Sequence, residues 1–273
     1  MCEFCTKHGE GKKWYQVMEH YSQDLLANPK RQAYIRKFVA GMRQNGGKRM
    51  AKLAVIKQKL PLAHRFIRHI GTNLMKKSHF GQVIPLEDAL EVVDFVQTIT
   101  RIACVCRSVT QGRHDARYCL LLGIDPSGLV GDWPELQDNL EVLSKEEARE
   151  CLKQFDTLGL IHSIWTFETP FIGAICNCDR DCLAYKMQVS GDLMDTMFRA
   201  EYIASIDPAL CTGCRMCTRQ CQFGAVEYSA MDNKCVINRH KCYGCGICRT
   251  GCIKNAIELQ DTLSPSLILR KGM

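Results

Sequence analysis

The sequence predicts an α+β protein with a basic helical N-terminal region, a small α/β central domain and a C-terminal domain built on a cysteine repeat. Three observations predict this. Basic residues concentrate in the first third of the chain, a helix-then-strand pattern lies in the middle, and two matching cysteine runs lie near the end. We place the N-terminal region at 1–85, the central domain at 86–200, the repeat domain at 201–261 and a C-terminal tail at 262–273.

The N-terminal region differs from the rest of the chain in charge. It has 17 Lys and Arg against 4 Asp and Glu, a balance of +13, whereas the remaining residues have 19 against 25, a balance of −6. The segment WYQVMEHYSQDLLANP predicts an amphipathic helix that ends at Pro29. The segments KRMAKLAVIKQKL and PLAHRFIRHIGTNLMKK predict two basic helices separated at Pro61.

The central domain is predicted from one helix followed by one strand. Ser144 and Glu147 match a capping box, apolar residues at helical spacing follow, and Gly159 ends the helix. Residues 160–167 have the composition of a strand, so this stretch resembles a winged-helix fragment. We expect Cys151, which lies on the helix, to be a buried packing residue.

The clearest signal is an internal repeat with an offset of 31 residues. The spacing C-x2-C-x2-C-x3-C occurs twice, and the flanks recur as well, since residues 225–227 (AVE) match residues 256–258 (AIE). The two runs are Cys211, Cys214, Cys217 and Cys221, and Cys242, Cys245, Cys248 and Cys252.

This repeat resembles the bacterial two-cluster ferredoxins over residues 202–261. The resemblance implies two [4Fe-4S] clusters, each held by three cysteines of one run and by the fourth cysteine of the other. The implied ligand sets are Cys211, Cys214, Cys217 and Cys252, and Cys242, Cys245, Cys248 and Cys221. The alternative is zinc or free thiols, but a zinc site does not explain a fourth cysteine after x3 in both runs. Gln222 and Ile253 stand where the family has proline, which adds a backbone donor at each site. Cys235 fits a packing residue on a short strand.

A second cysteine system lies in the central domain, at no standard ferredoxin spacing. The segments ITRIACVCRSV and TPFIGAICNCDRDC are each apolar before the first cysteine and polar after it. This pattern predicts two strand or loop ends that meet at a buried thiol site, where Arg107 and Arg180 are candidates to balance the charge. We predict a third [4Fe-4S] cluster here, with zinc or a redox-active thiol pair as alternatives. The candidate ligands are Cys104, Cys106, Cys119, Cys176, Cys178 and Cys182.

The N-terminal segment CEFCTKHGEGKKWY offers a further metal site. It places Cys2 and Cys5 at x2 spacing with His8 nearby, and we predict either a fourth cluster or zinc there. The order of CxxC, HFGQVIPLEDA, CVCR, GLIH and CNC before the ferredoxin repeat resembles a family of extended anaerobic iron–sulfur proteins.

These features predict an iron–sulfur electron-transfer protein, a subunit that relays electrons between a low-potential donor and a partner oxidoreductase. No catalytic residue is assigned, and the chain has neither GxGxxG nor a P-loop. Two alternatives remain. One is an iron–sulfur redox-sensing DNA-binding regulator, and the other is an oxidoreductase whose central iron site binds substrate.

The basic helices indicate the kind of partner, and the lengths of the apolar runs indicate the cellular location. Basic helices most often keep a solvated face, and they also dock to acidic proteins, anionic lipid or nucleic acid. We favour a redox partner with an acidic docking surface, because no aromatic-interleaved or base-reading pattern predicts nucleic-acid binding. Without an export signal or a run of about 18 apolar residues, we expect a cytoplasmic protein with no transmembrane segment.

Overall fold

The computed structural model describes residues 2–125 and 140–262, so the predicted tail lies outside the described residues beyond Thr262. Helices and strands are mixed, as expected for an α+β protein. The helices are α1 (Glu3–His8), α2 (Gln23–Ala27), α3 (Pro29–Lys59), α4 (Pro61–Ser78), α5 (Leu86–Phe95), α6 (Val105–Gln111), α7 (Lys145–Thr157), α8 (Leu183–Tyr185) and α9 (Met216–Gln220). Shorter helical turns are Trp14–Gln16, Met18–Tyr21, Lys186–Ser190 and Ile247–Arg249.

Within residues 2–125 and 140–262, seven strands form the main sheet, in the order β4-β2-β3-β6-β5-β1-β7. All neighbours are antiparallel except β1 and β7, which run parallel. The strands of this sheet are β1 (Gly81–Val83), β2 (Ile99–Ile102), β3 (Cys119–Leu122), β4 (Glu141–Leu143), β5 (Ile161–Thr166), β6 (Ile172–Cys178) and β7 (Met197–Phe198). Two further sheets of two strands each are formed by β8 (Tyr202–Ile206) with β11 (Ile257–Asp261), and by β9 (Val226–Ser229) with β10 (Lys234–Ile237).

Helices cover both faces of the main sheet, because alternate residues of a strand point to opposite faces. Leu120 and Ile164 face a core that includes residues of α5 and α7. Leu121 and Trp165 belong to the other core, which includes Ile35 of α3. The described part of the sheet therefore lies between α5 and α7 on one side and α3 on the other.

The two long basic helices are separated as predicted. Pro29 occupies the first turn of α3 and Pro61 the first turn of α4, where proline is tolerated because the missing N–H would have no helical partner. The predicted helix over WYQVMEHYSQDLLANP is wrong, since these residues form two short turns and α2. Trp14 and Tyr15 are completely buried, and Tyr15 donates to Asp88 at 2.7 Å. These tertiary contacts outweigh the local amphipathic pattern.

The winged-helix-like prediction for the central domain also needs correction. The capping box of Ser144 and Glu147 is present and α7 is followed by β5, as the sequence indicates. However, β5 lies inside the seven-stranded sheet between β6 and β1, and all six of its residues are buried. A winged helix has only a small sheet at its edge. The strand composition predicted β5 but not its partner strands. Because β5 lies in the middle of a seven-stranded sheet, the helix–strand fragment that suggested DNA binding is not part of a winged helix.

The C-terminal sheets exchange strands between the two copies of the repeat. One copy runs from β8 to β9 and the other from β10 to β11. Each two-stranded sheet pairs one strand from each copy, β8 with β11 and β9 with β10. This exchange brings the end of each copy next to the start of the other.

Candidate metal centres

Four cysteines from the two runs line one cavity of the C-terminal unit. Cys211, Cys214 and Cys217 of the first run line it together with Cys252 of the second run. Burial raises the pKa of Cys217 to about 12, and the nearby thiols of Cys235 and Cys252 act in the same direction. Cys235 also lines this cavity, although the sequence indicated only a packing role for it.

The other four cysteines of the repeat are grouped in the same crosswise way. Burial raises the pKa of Cys245 to about 12, and the thiols of Cys221 and Cys242 add to the increase. Burial also raises the pKa of Cys248, where Cys245, Cys221 and Cys242 act in the same direction. Cys221 of the first run thus lies with three cysteines of the second run.

Backbone amides point at the sulfurs in a pattern that repeats between the copies. Ala225 N donates to Cys221 Sγ at 3.2 Å, and Ala256 N donates to Cys252 Sγ at 3.3 Å. Gly213 and Gly244 have φ of +72° and +70°, a conformation that glycine adopts without strain. Amide donors to sulfur are among the contacts that set cluster potentials.

The residues of both groups fit a [4Fe-4S] cluster. Each offers four thiols from the two cysteine runs, the number of protein ligands that such a cluster takes, and the first cavity holds Cys235 in addition. The raised pKa values of Cys217, Cys245 and Cys248 follow from packing thiolates together in a buried space. Bound iron would relieve that repulsion, because metal binding favours the deprotonated thiol.

All six candidate cysteines of the central domain lie together. The Sγ atoms of Cys104 and Cys119 are 3.4 Å apart, and those of Cys178 and Cys182 are 3.0 Å apart. Cys119 lies opposite Cys176 on the neighbouring strands β3 and β6. Electrostatic interactions between neighbouring thiols connect the six in the order Cys104, Cys119, Cys176, Cys178, Cys182 and Cys106. The two segments that the sequence predicted to converge do meet here.

An apolar cavity of about 100 Å³ adjoins these thiols, and all of them except Cys104 line it. Phe38 and Met42 of α3 line the same cavity, together with Trp165 of β5 and Phe167. No sequence signal pointed to the part played by α3, because residues 38 and 42 are more than thirty positions from every cysteine. The long basic helix therefore covers the central thiols.

One buried cation lies beside the central thiols. Arg107, only 3% exposed, approaches Cys104 Sγ with Nη1 at 3.5 Å and pairs with Asp179 at 2.6 Å. Arg180, the other arginine that the sequence suggested, points elsewhere and donates to the carbonyl of Cys221 at 3.3 Å. It therefore connects the central loop to the C-terminal unit.

Aromatic side chains continue that connection. Tyr185, three residues after Cys182, donates to the carbonyl of Gln222, and its ring centroid lies 6.1 Å from that of Phe223. Phe223 stacks on Tyr243 at 3.9 Å. The central thiols and the second-run thiols are therefore joined through packed residues.

Cys2 and Cys5 lie next to Glu201, and Cys2 lines a cleft that Cys242 of the second run also lines. Glu201 could not be selected from the sequence, because it is 196 positions from Cys5. Cys151 is half-buried on α7, with its Sγ 3.9 Å from Arg101 Nη1, and it lies in none of these thiol groups.

Comparison with known protein families identifies one part of the chain. The family model described as "4Fe-4S binding domain" matches residues 204–227, which contain the first cysteine run. This stretch is therefore an iron–sulfur domain of ferredoxin type, a class with an electron-transfer role. A search of curated proteins gave no match to the chain. Among the residues that the structure describes, no helix is long and apolar enough to cross a membrane.

Proposed function

We propose that the protein is a multi-cluster iron–sulfur electron-transfer protein, a subunit that relays electrons between a low-potential donor and a partner oxidoreductase. The observation that carries this proposal is the crosswise grouping of the two cysteine runs. Each group takes its fourth thiol from the other run, so two clusters held there share one small unit. A bound [4Fe-4S] cluster supplies one-electron transfer at each group.

Three features of this chain support a relay. Helix α9, which contains Cys217, contacts the turn Ile247–Arg249, which contains Cys248, so the two groups of the C-terminal unit are close to each other. The central thiols offer a third ligand set, and six thiols exceed the four that a cubane needs. Tyr185, Phe223 and Tyr243 fill the space between the central domain and the second run.

Iron analysis and EPR of anaerobically purified protein test this proposal. We expect about twelve irons per chain, eight in the C-terminal unit and four in the centre, and reducible [4Fe-4S] signals. Replacing Cys119, Cys178 and Cys182 together with serine leaves three central thiols, so we expect about four irons to be lost and the ferredoxin signals to remain. Fewer than about eight irons in the wild type, with no reducible signal, would defeat the proposal.

The hairpin of α3 and α4 is the proposed docking surface for an acidic redox partner. Residues 29–78 contain 14 Lys and Arg and no Asp or Glu. Arg68 and His64 attach one face of α4 to the loop at residues 192–195. On the outer face an exposed apolar row follows α4 at four-residue spacing, formed by Leu62, Phe66, Ile70 and Leu74. Since α3 also covers the central thiols, a partner bound here lies next to them.

Charge reversal on α3 is expected to slow electron exchange with the partner. Lys48, Arg49 and Lys52 are exposed, and changing all three to glutamate removes attraction that steers an acidic protein. We expect the second-order rate with the co-purifying redox partner to fall about tenfold or more at low salt, and less at high salt. Stopped-flow absorbance of the clusters measures it.

A matched control separates docking from net charge. Lys12, Lys153 and Arg239 are exposed and lie outside the hairpin, so changing them to glutamate gives the same overall charge change. This variant should keep most of the wild-type rate. Equal losses in both variants would show that the hairpin is not the docking surface.

A further inference from the structure

Three potential metal ligands from distant parts of the chain meet beside α1. The Sγ atoms of Cys2 and Cys5 are 3.4 Å apart, and Cys5 Sγ is 3.2 Å from Glu201 Oε1. The three donor atoms all lie within 4.8 Å of one another. Cys5 is 1% exposed and Glu201 is 5% exposed, so the group is largely removed from water.

The two cysteines form a compact loop with amide donors to sulfur. Cys5 N donates to Cys2 Sγ at 3.4 Å. Gln82 Nε2 lies 4.0 Å from Cys2 Sγ, and its amide is fixed by a bond to the carbonyl of Arg199 at 3.1 Å. Amide donors of this kind orient thiolate ligands and stabilise their charge.

Glu201 is equally well fixed. Its carbonyl accepts from Thr262 N at 2.8 Å, and Thr262 Oγ1 lies 3.3 Å from its Oε2. Its Oε1 accepts from Cys2 N at 2.8 Å and faces Cys5 Sγ at 3.2 Å, so the carboxylate is held against both cysteines. A cation bound between these atoms would balance the charge of a buried carboxylate beside two thiols.

We propose that Cys2, Cys5 and Glu201 bind one divalent ion of the zinc class, separate from the iron–sulfur clusters. Two thiolates and a carboxylate are ligands that zinc accepts. Two sulfurs bound to one zinc at tetrahedral geometry lie about 3.8 Å apart, so a small outward shift of the sulfurs admits the ion. Among the described residues the close group has two thiols and one carboxylate, and Cys242, which lines the adjoining cleft, already belongs to the second group of the repeat, so four thiols for a separate cubane are not at hand.

The fourth position of this site is open to solvent. Cys2 and Glu201 line a cleft of about 530 Å³, so water completes the coordination. The ion ties α1 to the residue that directly precedes β8, because Glu201 is adjacent to Tyr202. It therefore fastens the N-terminal segment to the C-terminal unit without taking part in electron transfer.

Metal analysis of variants tests the site. In anaerobically purified full-length protein we expect about one zinc per chain in the wild type, and at least about a fivefold loss of zinc in Cys5→Ser and in Glu201→Gln. Iron content and the EPR signals of the clusters should not change. Cys151→Ser and Glu227→Gln serve as controls, because these residues lie away from the site, and both should keep the zinc.

A second measurement does not depend on the variants folding. Wild-type protein stripped of zinc and loaded with Co²⁺ should show a thiolate-to-cobalt absorption band and the intense visible bands of four-coordinate cobalt. Absence of zinc from the wild type together with no such cobalt spectrum would overturn the proposal, as would full zinc in Cys5→Ser. A loss of about four irons in Cys5→Ser relative to the wild type would also overturn it, because Cys5 would then be a cluster ligand. A low iron content of the wild type would count against the electron-transfer proposal and would leave the zinc result valid.

Discussion

Replacing Cys252 with serine is expected to remove the cluster of the first cysteine run, although Cys252 belongs to the second. The reason is the cavity that Cys252 shares with Cys211, Cys214 and Cys217. About four irons should be lost, while the cluster held by the remaining cysteines of the second run and Cys221 persists. EPR of the reduced protein would then show one isolated cluster in place of two that interact. Cys221→Ser should give the reciprocal result.

The control for this experiment is Cys235. It lines the same cavity, and its amide donates to Cys211 Sγ at 3.4 Å, but it lies outside the repeat spacing. Cys235→Ala should therefore retain all the iron. If Cys235→Ala loses the cluster and Cys252→Ser keeps it, the crosswise ligand assignment is wrong.

A methyl group at Gly213 is expected to destabilise the C-terminal unit strongly. A Cβ atom there would lie 2.3 Å from the carbonyl oxygen of Asn233, and φ is +72°. The turn between β9 and β10 must move to admit it, in addition to the cost of about 1–2 kcal/mol for an unfavourable backbone conformation. We expect Gly213→Ala to lower the free energy of unfolding by about 3 kcal/mol or more and to reduce the iron content.

Gly224 provides the matched control. Its φ is +65°, but no described atom lies within 4 Å of a Cβ built there. Gly224→Ala should therefore cost only about 1–2 kcal/mol and keep its clusters. Anaerobic thermal unfolding followed by circular dichroism and cluster absorbance measures both variants. Equal shifts in Tm would mean that close contact at Gly213 does not matter.

Local chemistry in the sequence was enough to predict several elements. The capping box at Ser144 and Glu147 fixes where α7 begins, and Pro61 separates α3 from α4 wherever the helices pack. The spacing of the first cysteine run indicated the iron–sulfur domain that the family comparison identifies at 204–227. Each of these signals involves residues a few positions apart, so tertiary contacts do not change them.

Features that depend on distant residues could not be predicted. The segment from Trp14 to Ala27 has a helical pattern, but burial of Trp14 and Tyr15 breaks it into short turns. Strand β5 was visible from its composition, whereas its place in a seven-stranded sheet follows from partners across the chain. Glu201 is an ordinary carboxylate in the sequence, and only the fold brings it to Cys5.

The exchange of strands in the C-terminal unit has a consequence for protein synthesis. Strand β8 leaves the ribosome early but hydrogen-bonds with β11, about fifty residues later, so its partner is missing until translation of the unit is almost complete. The first cavity also lacks Cys252 until then. Iron delivered to a nascent chain would therefore meet an incomplete first cavity, and loading of that cluster has to follow synthesis of Cys252, whereas the four cysteines of the second group are all made by Cys248.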